Sequence, residues 1–536
     1  MKKRLIQFII LTFFITGLCS CEAFDAFLDV MPDSRTMLDT PQKIKDLLVT
    51  SYPTSNYALL CEFSSDNIID NWSENPLLSG AAFDRMDTEI FEWRDVSADG
   101  GSGDAPYDVW ESYYQSIAVA NQVLEAIETL AKSGDNTDMS AQKGEALVLR
   151  AYCHFMLVNI FALPYKDENL SKNDLGVTYM TKSEKKVIVQ YERNSVAEVY
   201  ALIEKDLEEG IKLIDDKSYR VPKYHFTKAA ANAFASQFYL YKRDYENVIK
   251  YADAVLGTGN PSAMLRDWTG NYSNFETEAN VYISAESPAN ILLIPTYSVY
   301  ERRFFTSRYG MNGTALSGTI NAAGPTWSGR PPFLTGWVWA VDNGKYSLMI
   351  PKVAEFFEYT DKVARIGYPH ILRTEFTTDD VLLNRAEAKI MTGDLAGALA
   401  DLQYWNASHK GTQALTDGRI KSFYTADKSN FVFTFHNQEL SPEFVITEGQ
   451  KPYIDCVLHF KRLERIFEGH RWFDLKRYGI DLKHNIGRDA REIILPYDDL
   501  RRAIQIPWDV IGAGLEANPR PIIGAGENRS VWKLYY

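Results

Sequence analysis

A helix pair joined by a short turn buries one face of each helix on the other, and small side chains at the crossing bring the two axes together. Residues 227–256 have this pattern. Thr227 to Tyr241 and Tyr245 to Leu256 carry helical periodicity, Arg243-Asp244 makes the turn, and Tyr251-Ala252 falls on the second helix. Ala229, Ala230, Ala233 and Ala235 supply the small contacts. The pattern recurs in Val381 to Thr392, Gly393-Asp394 and Leu395 to Trp405, with Ala386, Ala388, Ala396, Ala398 and Ala400 in the same role. A chain built on such pairs is committed to a largely helical body.

Each unit looks like a tetratricopeptide repeat. Further amphipathic helices are predicted from Trp110 through Val123, Leu124 and Ile127, from Lys143 to Phe161, and from Val196 to Ile214. Between residues 257 and about 370 the periodicity fades and Gly, Pro, Asn and Thr become frequent. Asn290 to Thr296 reads there as a short strand, and the stretch around Trp327-Ser328-Gly329-Arg330-Pro331-Pro332 as loop. A helix is predicted from about Pro452 to Tyr478, with Leu463, Ile466 and Phe467 on its apolar face. The pairs Lys461/Glu464, Arg465/Glu468, Glu468/Arg471 and Asp474/Arg477, three apart, can bond along its polar face.

With 536 residues, 46% hydrophobic and 24% charged, the chain has ample material for a core. Its net charge of -14 argues against a nucleic-acid partner, which demands a basic face. The N-terminus places the protein. Lys2, Lys3 and Arg4 precede an apolar run from Leu5 to Ile15, a stretch too short for a span, which needs about 20 apolar residues. Residues 1–20 are therefore expected to be a signal peptide. Leu18-Cys19-Ser20-Cys21 resembles the bacterial lipobox, in which the cysteine at the cut is diacylated, so Cys21 is the expected lipidation site; Cys19 fits worse, with Leu18 directly before the cut. Several acyl chains hold a protein at a membrane far more firmly than one. Cys61, Cys153 and Cys456 remain, with no CxxC pair among them; Cys153, in an apolar helical run, is expected to be a buried thiol, and one disulfide among the three stays open.

A family resemblance now becomes visible. Leu463 to Arg477, LERIFEGHRWFDLKR, looks like the C-terminal signature of the SusD/RagB family of outer-membrane nutrient-binding lipoproteins. Six other segments agree in the family's order: Phe27 to Pro32, Ser65-Asp66-Asn67, Trp110 to Asn121, Glu145 to Phe155, Leu383 to Ala388, and Ile504 to Pro507. Two segments depart. Phe161-Ala162-Leu163-Pro164-Tyr165 stands where the family has FG-x-PL, and the terminal QNPG-aromatic motif is reduced to Asn518-Pro519-Arg520-Pro521.

The resemblance implies a mainly α fold in which four tetratricopeptide-like helix pairs support a loop-rich half with a few short strands. The expected parts are 21–256 (helical), 257–370 (loop-rich, ligand-binding) and 371–536 (helical, with the tail), packed as one body. It also implies a glycan-binding lipoprotein, anchored in the outer membrane and facing outwards, that delivers oligosaccharide to a SusC-like TonB-dependent transporter. No cofactor is expected.

The chemistry is otherwise spare. Gly100-Gly101-Ser102-Gly103 lacks the Lys-Ser/Thr of a phosphate loop, and HExxH and GxSxG are absent. His459, Glu464, Glu468, His470 and Asp474 alternate with Arg and Lys, a pattern of structural ion pairs rather than of a metal site. For binding, a flat aromatic beside a polar group matches the C–H faces and hydroxyl edges of a sugar. Trp72 and Trp327 are the first candidates, followed by Trp93, Trp337 and Trp339, with Asn71 and Arg330 as polar partners. The competing readings are a peptide cargo on the same scaffold and a surface glycoside hydrolase, which needs two carboxylates ~5–10 Å apart.

Overall fold

The computed structural model describes residues 38–71, 85–97, 103–184, 189–268, 274–306, 308–341, 347–425, 429–487 and 491–520. The expected signal peptide, residues 1–20, together with Cys21 and Trp72, lies outside them.

Helices dominate. Helix α1 (Pro41–Val49) packs on α2 (Pro106–Lys132), which pairs with α3 (Ser140–Phe161), and α4 (Val196–Leu213) lies along α3. Helix α3 is buried over nearly its whole length, Cys153 included, because it has neighbours on both sides. At the closest point of α3 and α4 a Cβ on Gly144 would come within 2.8 Å of the Gly210 carbonyl. Helices α5 (Lys228–Lys242) and α6 (Tyr245–Leu256) form the alanine-rich pair. Thr227 caps the first, Arg243 ends it in the left-handed region (φ 66°), and the Asp244 side chain caps the second. Helix α7 (Phe275–Tyr282) follows on the loop-rich side. Cys61 and Cys456, like Cys153, are buried free thiols, so none of the three forms the disulfide that the sequence left open.

A three-stranded antiparallel sheet connects the two halves. Its strands are β1 (Asn290–Tyr297), β2 (Glu355–Asp361) and β3 (Ile366–Thr377), with β3 in the middle. The register pairs Asn290 with Thr377 and Tyr297 with His370 on one side of β3, and Glu355 with Ile371 and Glu358 with Tyr368 on the other. β3 ends at Thr377, whose hydroxyl caps α8 (Thr378–Met391) in a reciprocal box with Asp380. One end of the sheet is thus clamped to the helical body while the β2–β3 hairpin extends into solvent. Helix α8 pairs with α9 (Leu395–Ser408), and α6 and α10 (Lys451–Glu464) pack on α8.

The predicted helix from Pro452 to Tyr478 is two helices, α10 and α11 (His470–Tyr478). Between them Phe467 and Gly469 take positive φ, 71° and 83°. Their N–H groups donate to the buried Glu62 carboxylate at 2.9 Å each, and a Cβ on Gly469 would come within 3.0 Å of the Ala58 Cα. The helix breaks so that the segment Ala58–Phe63 can dock there.

Candidate functional site

Four of the sequence candidates are packing residues. Trp93 is 5% exposed, stacks on His484 at 4.1 Å and donates its indole N–H to the Ser64 carbonyl at 2.9 Å. Trp327 is 7% exposed, lies over Gly324, donates to the Ala322 carbonyl at 3.3 Å and meets Phe460 and His459 of α10. Trp337 is buried edge-on against Trp268, ring centroids 5.0 Å apart. Asn71 is buried, its N–H donating to the Arg308 carbonyl at 2.9 Å. The expectation of an exposed indole at Trp327 is therefore corrected: polar sequence neighbours make a loop, but helix packing from far along the chain covers the ring.

Two candidates stay at the surface. Trp339 is half-buried, donates its indole N–H to Glu278 Oε2 of α7 at 2.5 Å and meets Phe275 edge-on. Burial raises the Glu278 carboxyl pKa. Arg330 is half-buried and donates to Asn321 Oδ1 at 2.7 Å.

The sequence reading missed an open aromatic surface. Along the β2–β3 hairpin Phe357 is 46% exposed, Tyr359 49% and Tyr368 37%. Alternation puts Phe357 and Tyr359 on one face, ring centroids 4.9 Å apart, with Phe357 lying over Gly367, where a Cβ would collide with the Glu358 carbonyl. Phe356, Tyr368, His370 and Tyr297 share the other face; Tyr297 and Tyr368 meet edge-on at 6.2 Å, and Phe356 lies against His370. Asp361 Oδ1 closes the turn by accepting the N–H groups of Val363 and Ala364. The available signal was Phe356-Phe357-Glu358-Tyr359-Thr360, a run of strand formers followed by Asp361-Lys362.

The charged C-terminal signature does not line a polar face; it is buried and holds the body together. Arg465–Glu468 (3.0 Å) and Arg477–Asp474 (2.6 Å) form as predicted. The other two pairs find distant partners instead: Lys461 and Arg477 both bind Glu387 of α8, Arg471 binds Asp66 at 2.9 Å, and Glu464 takes His409 at 2.7 Å. Burial opposes ionisation of Glu387, but Arg477 and Lys461 outweigh it and hold the carboxyl at about 2. Burial raises Glu62 to about 7 and lowers Lys476, which donates to the Asn159 and Ala162 carbonyls, to about 7.

Asp379, His409 and Glu464 bring ligand-type atoms within 4.8 Å of one another, all buried. His409 Nδ1 lies 2.8 Å from the Trp405 carbonyl, and the Trp405 indole and His409 Nε2 both reach Glu464 Oε2. Burial raises the Glu464 pKa, but His409, Lys352 and Arg266 outweigh it and hold the group well below the usual carboxylate range. Two fixed cations thus already supply the positive charge that a metal would bring.

Residues 26–240 match a family described as starch-binding and associating with the outer membrane, and residues 341–502 match the SusD family. No curated protein matches the sequence. Solved structures share the fold. A SusD superfamily protein from Bacteroides fragilis superposes with a TM-score of 0.60 at 17% identity, over 88% of this chain and 98% of its own. A SusD-like carbohydrate binding protein from Bacteroides vulgatus gives 0.55 at 16% identity, over 88% and 95%. Surface glycan-binding protein A from Bacteroides uniformis gives 0.56 at 14%, over 89% and 99%. Neither family match indicates a catalytic family. No helix among the described residues is long and apolar enough to cross a membrane.

Proposed function

The chain belongs to the SusD/RagB family, and from that premise we propose that it is a cell-surface lipoprotein that captures glycan and passes it to a TonB-dependent outer-membrane transporter. The observation that carries the capture step is the aromatic hairpin: three large rings more than a third exposed on an element whose far end needs none of them for packing. Exposed rings on a rigid strand pair offer flat C–H stacking surfaces, and Glu358, Thr360 and Asp361 on the same strand offer hydroxyl partners. Trp339 with Glu278 repeats that combination on a second element. The lipid on Cys21 supplies the anchor. A protein tethered in this way cannot itself move solute across a bilayer, so the transporter must.

The test is calorimetry of the mature protein against a panel of neutral oligosaccharides and a panel of peptides, with reducing ends assayed after long incubation. Saturable binding of one oligosaccharide class with no new reducing ends is the expected result. Binding confined to peptides would move the cargo assignment to the peptide class. New reducing ends would make the protein a hydrolase.

A further inference from the structure

Away from the hairpin, α1 and the segment 218–225 enclose a groove of ≈ 580 Å³, within the size range of small-molecule sites. Its floor is a polar aromatic cluster. Glu145 Oε1 accepts from the Tyr52 hydroxyl at 2.8 Å and lies 2.7 Å from His225 Nδ1, and the Tyr219 ring stacks on His225 with centroids 4.6 Å apart. Gln142, on the wall, is 4% exposed, and its side-chain amide has no hydrogen-bond partner among the described residues. Solvent reaches that amide through the groove, so a ligand hydroxyl seated there takes the place of water as its partner. Lys45, Asp46 and Arg220 stand at the rim, and Val49 (60% exposed) and Val221 (47%) form an apolar lip.

Charges of both signs at the rim disfavour a strongly ionic ligand. A tyrosine ring, an unpaired amide and an apolar lip fit a neutral polyhydroxyl ring, with C–H faces for the apolar groups and hydroxyls for the amide. We propose that this groove is a second saccharide site, separate from the hairpin, with Gln142 and Tyr219 as its recognition residues. It rests on the glycan reading above.

The test is hydrogen exchange of the mature protein with and without saturating maltoheptaose, laminarihexaose, xylohexaose or mannohexaose, read on peptides covering 42–49, 217–226 and 355–370. The oligosaccharide that protects the hairpin is expected to protect the two groove peptides as well. Gln142→Ala and Tyr219→Ala should each weaken the groove protection about tenfold, the scale of one lost contact to ligand, and leave the hairpin untouched. Tyr219 is only half-buried, so its replacement covers the case in which Gln142→Ala unfolds. Protection of the hairpin alone overturns the groove proposal and leaves the glycan reading standing. Protection of neither region by any of the four overturns both.

Discussion

Glu62 accepts the backbone N–H of Gly469 at 2.9 Å, across more than four hundred residues of chain. With the second bond to the Phe467 N–H, this one carboxylate caps α11 at the point where the long C-terminal helix breaks. A segment near the N-terminus is thereby stitched to the signature that identifies the family. Asn67 donates to the same side chain at 2.8 Å.

Burial raises Glu62 from 4.5 to about 7, so the folded protein holds a proton there that the unfolded chain releases. Its contribution to stability is greatest below about pH 4.5 and is lost as pH rises through about 7. Glu62→Gln removes this titration. Wild type should therefore lose stability relative to Glu62→Gln as pH rises from 5 through about 7 in paired denaturant titrations; shifts of the buried histidines cancel in the difference. A gap that is constant across this range would show that the carboxyl is not perturbed.

Glu387 is completely buried and answers three groups: Arg477, Lys461 and the Tyr478 hydroxyl. Glu387→Ala leaves Lys461 without a counter-charge and Arg477 with Asp474 alone, and breaking such a buried network costs about 3–5 kcal/mol. The depressed carboxyl contributes its stability above pH 4.5 and loses it as pH falls toward 2. Chemical denaturation at pH 7 should show the full loss. A change near zero would mean that water or another partner replaces the carboxylate.

The helix pairs were legible because their information is local. Spacing, small residues and the turn Arg243-Asp244 all lie within one stretch, and the structure keeps α5 and α6 within a residue or two of the reading. The break at Phe467 was not legible, since its cause is Glu62, remote in sequence. The same limit explains the ion pairs. Periodicity offers Lys461 a partner on its own helix, whereas packing offers Glu387 on α8. Aromatic burial was the least legible: Trp327 and Tyr359 both stand beside polar residues, yet one is covered by α10 and the other extends into solvent.

If Cys21 carries the proposed lipid anchor, Cys21→Ala should release the protein from membranes or leave it unprocessed. Fatty-acid labelling and detergent partitioning of the variant check this; retained label would place the lipid elsewhere. Gentle detergent extraction of the wild type should recover it with a β-barrel of the TonB-dependent class. Recovery only as free monomer, under conditions that preserve comparable complexes, would count against the delivery role.

The hairpin and Trp327 give opposite signatures, and this contrast decides where glycan binds. Phe357 and Tyr359 are nearly half exposed on a projecting strand, so replacing either by Ala removes a stacking face while costing the fold little. Each replacement should weaken oligosaccharide binding by about 1–3 kcal/mol, the range for losing an aromatic contact in a ligand interface. The melting temperature should barely move. Trp327 is packed on Gly324 and α10, so Trp327→Ala opens a cavity and should cost about 3–5 kcal/mol of stability with affinity unchanged in the folded fraction. Calorimetric titration and thermal melts of the three variants separate the cases. If Trp327→Ala loses affinity at constant stability while both hairpin variants bind normally, the recognition surface lies in the loop around Gly324–Arg330, and the hairpin serves another contact.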